Sequence, residues 1–217
     1  QGVEYGAGYY GGGVDAVTVL RKHSEMLTRQ VALTGSVAAA DEKRLDQLKR
    51  LEDLFPGGEN GLGAAMGDML NAFSDVANAP TDLTARTVVL ARADELAARF
   101  RAVSANMDNL RSNLQQELAS EVRLINSLAT RIADVNREIR DAMGSGHTPN
   151  DLLDQRDEMI RELNTHVQTT TIPAGDGSLS VFVASSQPLV LGTSASQVAL
   201  STDAFGDPLK SVLTMQR

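Results

Sequence analysis

Over the first fifty-five positions the apolar residues Val17, Leu20, Leu27, Val31, Ala38, Leu45, Leu48 and Phe55 fall at gaps of three, four or seven. A seam of roughly 3.5-residue period predicts a long helix with one apolar stripe that calls for a helical partner. Ser24, Thr34, Asp41 and Glu52 interrupt the seam, Gly35-Ser36 marks a point where the helix kinks or splits, and FPGGENG (Phe55 to Gly61) ends it. A shorter amphipathic helix follows, with Leu62, Met66, Leu70, Phe73 and Ala77 on one face, and Asn78-Ala79-Pro80 stops it.

From Thr81 to about Met143 the chain contains neither proline nor glycine. Leu96, Phe100, Val103, Met107, Leu110 and Leu114 keep a 4-3 spacing; Ile125, Leu128, Ile132, Val135 and Ile139 resume it after Leu118 and Val122 shift the phase. That shift is a stutter in one very long helix. About sixty residues at about 1.5 Å each make a rod of roughly 90 Å, which outruns a globular core and must lie against another long helix.

After a glycine break, TPNDLLDQRDEMIREL reads as a further helix. Thr148 suits the N-cap, Pro149 the first turn and Asp151 the acid of a capping box; Asn150 is the alternative cap. Asp151 and Asp154 then sit near the positive end of the helix dipole. Leu152, Leu153, Met159, Ile160 and Leu163 form the buried face, and Arg156 borders it. A guanidinium there needs its donors paired, with a carboxylate or with carbonyls of the turn Gly144 to Thr148 as the expected acceptors. Asp157 and Arg161 have the spacing of an i,i+4 pair. From His166 onward the period is two: Val167, Thr169 and Thr171 alternate, Asp176-Gly177 signals a hairpin turn, Leu179, Val181 and Val183 alternate again, and Leu189 to Leu191 is a further apolar run. The expected fold is mainly α with a C-terminal β part: an elongated antiparallel helical bundle over 1–165, then the start of an antiparallel β domain over 166–217, left incomplete.

The 42% apolar content supports a real core, and the 4% aromatic content without tryptophan suits long helices packing Leu, Val and Ala. Twenty-eight acids against twenty bases give a net charge of -8 with no basic cluster, which argues against nucleic acid as a partner. With no cysteine there is no disulfide, thiol nucleophile or sulfur-bound metal. No apolar run reaches eighteen residues and no charged-then-apolar leader is present, so neither a membrane span nor a secretory leader is expected; the start at Gln1 rather than Met reads as processing or excision, which leaves export open.

Candidate chemistry is sparse. Gly6-Ala7-Gly8-Tyr9-Tyr10-Gly11 matches G-x-G-x-x-G, yet no strand precedes it and no βαβ unit follows. Glu162 and His166 could share a helix face, but diiron bundles use Glu-x-x-His on paired helices. His23, His147 and His166 lie in separate segments. Asp151, Asp154 and Asp157 step by three around a helix start, as capping and solvated positions do, and as a metal site they would lack further ligands. No catalytic residue, cofactor or metal is expected.

The stretch NDLLDQRDEMIREL resembles the signature segment of the flagellar hook-associated protein 1 (FlgK) family. The order of the surroundings is similar too: GGGV at Gly11 to Val14 and Arg21, Leu51 to Phe55, NAPTDLTAR with Leu90, INSLATRIADVNREI, NDLLDQRD, then DGSLSVFV and PLVLG. HSEML at His23 to Leu27 departs from the family's Tyr-Asp-x-Phe-Leu type segment. The resemblance implies a structural subunit at the hook-filament junction, extracellular and exported without a cleaved signal, not an enzyme. Its implied structural signature here is Asn150, Asp151, Leu152, Leu153, Asp154, Arg156 and Asp157. It also implies partners: the hook protein, the second junction protein, copies of itself, and an export chaperone acting on a C-terminal segment. The helical ends that drive polymerisation in such proteins would lie outside these 217 residues, leaving them monomeric. The competing classes are another secreted axial or adhesin-like helical protein and, less favoured, a helical-bundle sensor or metal enzyme.

Overall fold

The computed structural model describes residues 25–146, 148–184, 186–202 and 211–216. The predicted helix start at Val17 and Leu20, the Gly6 to Gly11 motif, Arg21, His23 and His147 lie outside the described residues. Among these residues four α-helices, α1 (Glu25–Glu52), α2 (Leu62–Asn78), α3 (Leu83–Gly144) and α4 (Asn150–His166), precede six strands, β1 (Thr169–Pro173), β2 (Leu179–Val183), β3 (Gln187–Leu191), β4 (Ser194–Ala195), β5 (Gln197–Thr202) and β6 (Ser211–Gln216). The protein is an elongated helical bundle carrying a small antiparallel β part at its C-terminal side.

The 62 residues of α3 span roughly 93 Å. The helix starts where Asp82 Oδ1 accepts from the Thr84 amide at 2.7 Å, just past Pro80, whose carbonyl is held by Arg86. Its C-terminal half supplies the core: Val122, Ile125, Leu128, Ala129, Ile132, Ala133, Val135 and Ile139 pack with Met159, Ile160 and Leu163 of α4 and with Val181, Val183, Leu189, Val190 and Val198 of the strands. Period-two alternation in β2 turns Val181 and Val183 into the core, so one core is shared by helices and sheet. Strands β1 to β4 form an antiparallel meander in sequence order, and β5 pairs with β6 in a separate ribbon. The Asp176-Gly177 turn joins β1 to β2 as predicted, with Thr171 opposite Val181.

The other end is built differently. α2 packs on α3, where Ala65 and Ala72 of α2 and Leu96 of α3 are buried, and Arg99 of α3 donates to the carbonyls of Glu59 and Gly61 in the α1–α2 turn at 3.0 and 2.9 Å. α1 lies against α4. It runs unbroken through Gly35-Ser36, so the split reading of that site is corrected. The Ser36 hydroxyl donates to the Leu33 carbonyl at 2.9 Å and satisfies itself within the helix.

Two details at the start of α4 also differ from expectation. The cap position is Pro149, one residue beyond a Thr148 cap and one before an Asn150 cap, so the predicted capping box does not form. Proline has no side-chain oxygen to satisfy the first amides, and its own missing N–H suits the helix start. The helix also continues through His166, because the alternating pattern takes hold only at Val167.

Candidate functional site

The signature residues lie along one docking helix. Asn150, Leu152 and Leu153 are half-buried, the two leucines packed on the common core; Asp151 and Asp154 are exposed at the positive end of α4; Asp157 is half-buried. Arg156 is buried, on the side of α4 that faces α3 and the β1–β2 turn. Its Nη1 donates to the Gly177 carbonyl at 2.7 Å and to Asn136 Oδ1 at 3.3 Å. The sequence pointed to a carboxylate or to carbonyls of the turn at 144–148; among the described contacts the guanidinium reaches the β hairpin and the side-chain amide of Asn136. It does so because Gly177 sits directly on the end of α3.

Gly177 has a φ of +83°, and a Cβ built there would collide with Met143 Sδ and lie 3.2 Å from Ile139 Cγ2. Only glycine combines the left-handed backbone with so close an approach. The preceding Asp176 closes the turn, its Oδ1 accepting from the Ser178 hydroxyl at 2.6 Å and the Ser178 amide at 3.0 Å. Those two donors, the hydroxyl foremost, hold the Asp176 carboxyl below its ordinary range.

Asn136, fully buried on α3, is the centre of the arrangement. Its Nδ2 donates to the carbonyls of Leu179 and Gly192, both at 2.7 Å, while its Oδ1 accepts from the Leu179 amide at 3.1 Å and from Arg156. Asn126, ten positions earlier on the same helix, repeats the device on β5: Nδ2 to the Val198 carbonyl at 2.9 Å and Val198 amide to Oδ1 at 2.8 Å. At the end of α4, Asn164 Oδ1 accepts from the amide and hydroxyl of Thr169, both at 3.1 Å. A side-chain amide offers the donor and acceptor that a neighbouring strand would, so three asparagines fasten the strands to the helices. Sequence reasoning passed over all three. The available signal was an asparagine beside each of Ile125, Val135 and Leu163, polar residues at the edge of the most strongly apolar faces in the chain.

A further group of polar contacts lies where α1, α3 and α4 meet. His166 Nδ1 lies 2.6 Å from Glu121 Oε2, and Lys43 Nζ 3.9 Å from Glu121 Oε1. One turn earlier on α3, Glu117 takes Arg50 at 2.6 Å and Gln47 at 3.4 Å, and the Arg50 hydrogen bond holds the Glu117 carboxyl below its ordinary range. Glu162 and His166 thus do not build a site together: the imidazole reaches α3 instead. Among the described residues no three His, Asp or Glu side chains group to hold a metal ion.

A second feature is what α1 shows to solvent. Its packed side consists of Ala32, Ser36, Ala39, Gln47 and Arg50, about half a turn from the seam Leu27, Val31, Ala38, Leu45 and Leu48, every member of which is exposed. Leu45 and Leu48 are 53% and 55% exposed, and on α2 Leu70 and Phe73 are 57% and 53% exposed. α1 rests on the molecule through small or polar residues and turns its apolar stripe outward, while α2 rests on Ala65 and Ala72 with half-buried Leu62, Met69 and Val76 and leaves Leu70 and Phe73 outward.

A family model described as the flagellar hook-associated protein FlgK helical domain matches residues 48–217. The chain is 25% identical over 208 residues to flagellar hook-associated protein 1 of Salmonella typhimurium, covering 95% of this chain and 37% of that protein. It is 26% identical over 203 residues to flagellar hook-associated protein 1 of Bacillus subtilis, covering 89% and 40%. The flagellar hook junction protein FlgK from Burkholderia pseudomallei superposes with a TM-score of 0.79 at 26% identity, over 86% of this chain and 33% of that one. The 217 residues therefore span well under half the length of these relatives.

Proposed function

The chain belongs to the FlgK helical-domain family, and from that premise we propose that it is the central part of a structural subunit joining hook to filament in the bacterial flagellum, a role that requires assembly and no catalysis. The observation that carries this reading is the apolar seam of α1, turned about half a turn away from the face by which α1 packs. A 4-3 stripe of exposed leucine, valine and alanine, broken only at Thr34 and Asp41 between Leu27 and Leu48, is costly in water and suits burial by another helix. In the whole protein that helix would come from the polymerising segments, next to the hook protein, the second junction protein and neighbouring copies, outside the cell. Export would proceed without a cleaved signal, with a chaperone on the C-terminal segment. Residues 1–165 would form the rod, and residues 166–217 would open the β domain, with NDLLDQRD as the fold-back helix that couples the two. By themselves the 217 residues would remain monomeric.

The test is complementation of a bacterium lacking its own junction protein with the full-length protein and with its Leu45→Glu/Leu48→Glu variant. The parent restores filament attachment and swimming, whereas the variant folds, as judged by circular dichroism, and leaves hooks without filaments. Restored motility by the variant, or failure of the parent to attach filaments, contradicts the reading.

A further inference from the structure

Among its described residues α1 buries one side chain completely, that of Ser36, and no large apolar side chain of α1 enters the core. Beside its packing against α4, α1 meets α3 through polar side chains. Lys43, Gln47 and Arg50 follow one another at four and three residues along one face, and Glu121 and Glu117 answer them one turn apart on α3. This antiparallel ladder stands where the apolar phase of α3 shifts, between Leu114 and Val122, so no apolar stripe on α3 competes for that face. Either side of the contact is open: clefts of about 490 Å³ and about 370 Å³ separate α1 from the α4–β1 junction and from α3, sharing Ala39, Lys43, Thr165 and His166 as their common wall.

We propose that α1 is a releasable strap, held on the α3–α4 body by the ionic ladder on Glu117 and Glu121 and able to lift away while that body stays folded. Exposed ion pairs are individually weak and are screened by salt, whereas the apolar core beneath them is not. Lifting costs little buried apolar area, and it lets α1 turn its outward seam toward an incoming helix without disturbing the core. The proposal stands independently of the junction role, since it concerns only how α1 is attached.

Because the chain has no cysteine, spin labels can be placed at Lys49→Cys on α1 and Gln116→Cys on α3 and their separation measured by pulsed electron resonance. At about 20 mM salt a single narrow, short distance is expected. At about 1 M salt, where the screening length falls to about 3 Å, and in the Glu117→Gln/Glu121→Gln variant at low salt, the distribution should broaden to longer distances with the helical circular dichroism signal retained. An unchanged narrow distance under both conditions overturns the proposal. So does broadening that occurs only with loss of the helical signal, because α1 would then be part of one cooperative unit.

Discussion

Within one uninterrupted helix, α3 behaves as two materials. From Val122 to Ile139 the positions facing α4 and the sheet are closed, with Leu128, Ile132 and Ile139 at 0% exposure. From Leu83 to Leu114 only Leu96 is fully buried, while Phe100 and Met107, which carry the same 4-3 rhythm, face water. Periodicity therefore identifies positions that need cover and is silent about what covers them. In the C-terminal half the cover is supplied within the chain by α4 and the strands. In the N-terminal half the cover is thinner: α2 brings Ala65 and Ala72 with half-buried Leu62, Met69 and Val76, α1 brings alanines, a serine and polar side chains, and the leucines of the α1 seam stay outside.

The strongest way to break this comparison is to remove mass from each half. Leu128→Ala or Ile132→Ala should cost about 3 to 5 kcal/mol, a transfer loss plus a cavity that the dense core cannot collapse. Leu48→Ala, in the outward seam, should stay within about 0.5 kcal/mol. Urea denaturation of the three variants reads the difference, and a large loss at Leu48 would mean that its seam is already covered.

Next in size come the polar fasteners. Asn136→Leu keeps the volume but strips the partners from the Leu179 and Gly192 backbone groups and from Arg156, and should cost about 2 to 4 kcal/mol. Arg156→Ala should cost about 2 to 3 kcal/mol, with Arg156→Lys recovering only part because an ammonium cannot reproduce the guanidinium's fork. If both Arg156 variants melt like the parent, the clamp on the β1–β2 turn is not structural. Gly177→Ala should cost about 1 to 3 kcal/mol through its positive φ and the collision with Met143. Adding Met143→Ala should return only the collision component.

Smallest is the response to acid. Glu95, held down by hydrogen bonds from Arg99 and then Arg92, and Glu117, held down by Arg50, serve the N-terminal half, while Asp176 serves the hairpin. A carboxyl whose folded pKa is depressed contributes its stability above the unfolded value and loses it as pH falls through the folded one. The urea midpoint should thus be level from pH 7 to about 5 and fall below about 4. The fall should be shallower in Glu95→Gln/Glu117→Gln, and an equally steep fall would place the acid sensitivity elsewhere.

Much of the architecture was legible in the sequence because it rests on local rules. Helix ends followed Pro80, the glycines after Met143 and the FPGGENG turn, and the hairpin followed Asp176-Gly177. The burial of Met159, Ile160 and Leu163 followed helical period. What the sequence hid was choice among distant partners. Arg156 was legible as a paired guanidinium, yet Gly177 lies 21 residues away and became its acceptor only through the seating of a glycine turn on α3. Asn126 and Asn136 act on strands 72 and 43 residues further on, where no periodicity reaches. The outward direction of the α1 seam was hidden for a related reason: a 4-3 stripe has the same pattern whether or not its partner is present.

Amide hydrogen exchange along α3, resolved by peptide, tests the division most directly. Protection should step within this single helix, with residues 122–143 exchanging only through global unfolding and residues 83–114 exchanging at least about a hundredfold faster through local opening, a gap of roughly 2.7 kcal/mol at 25 °C. Uniform protection from Leu83 to Gly144 would contradict the account, because the N-terminal half would then be as fully packed as the C-terminal one.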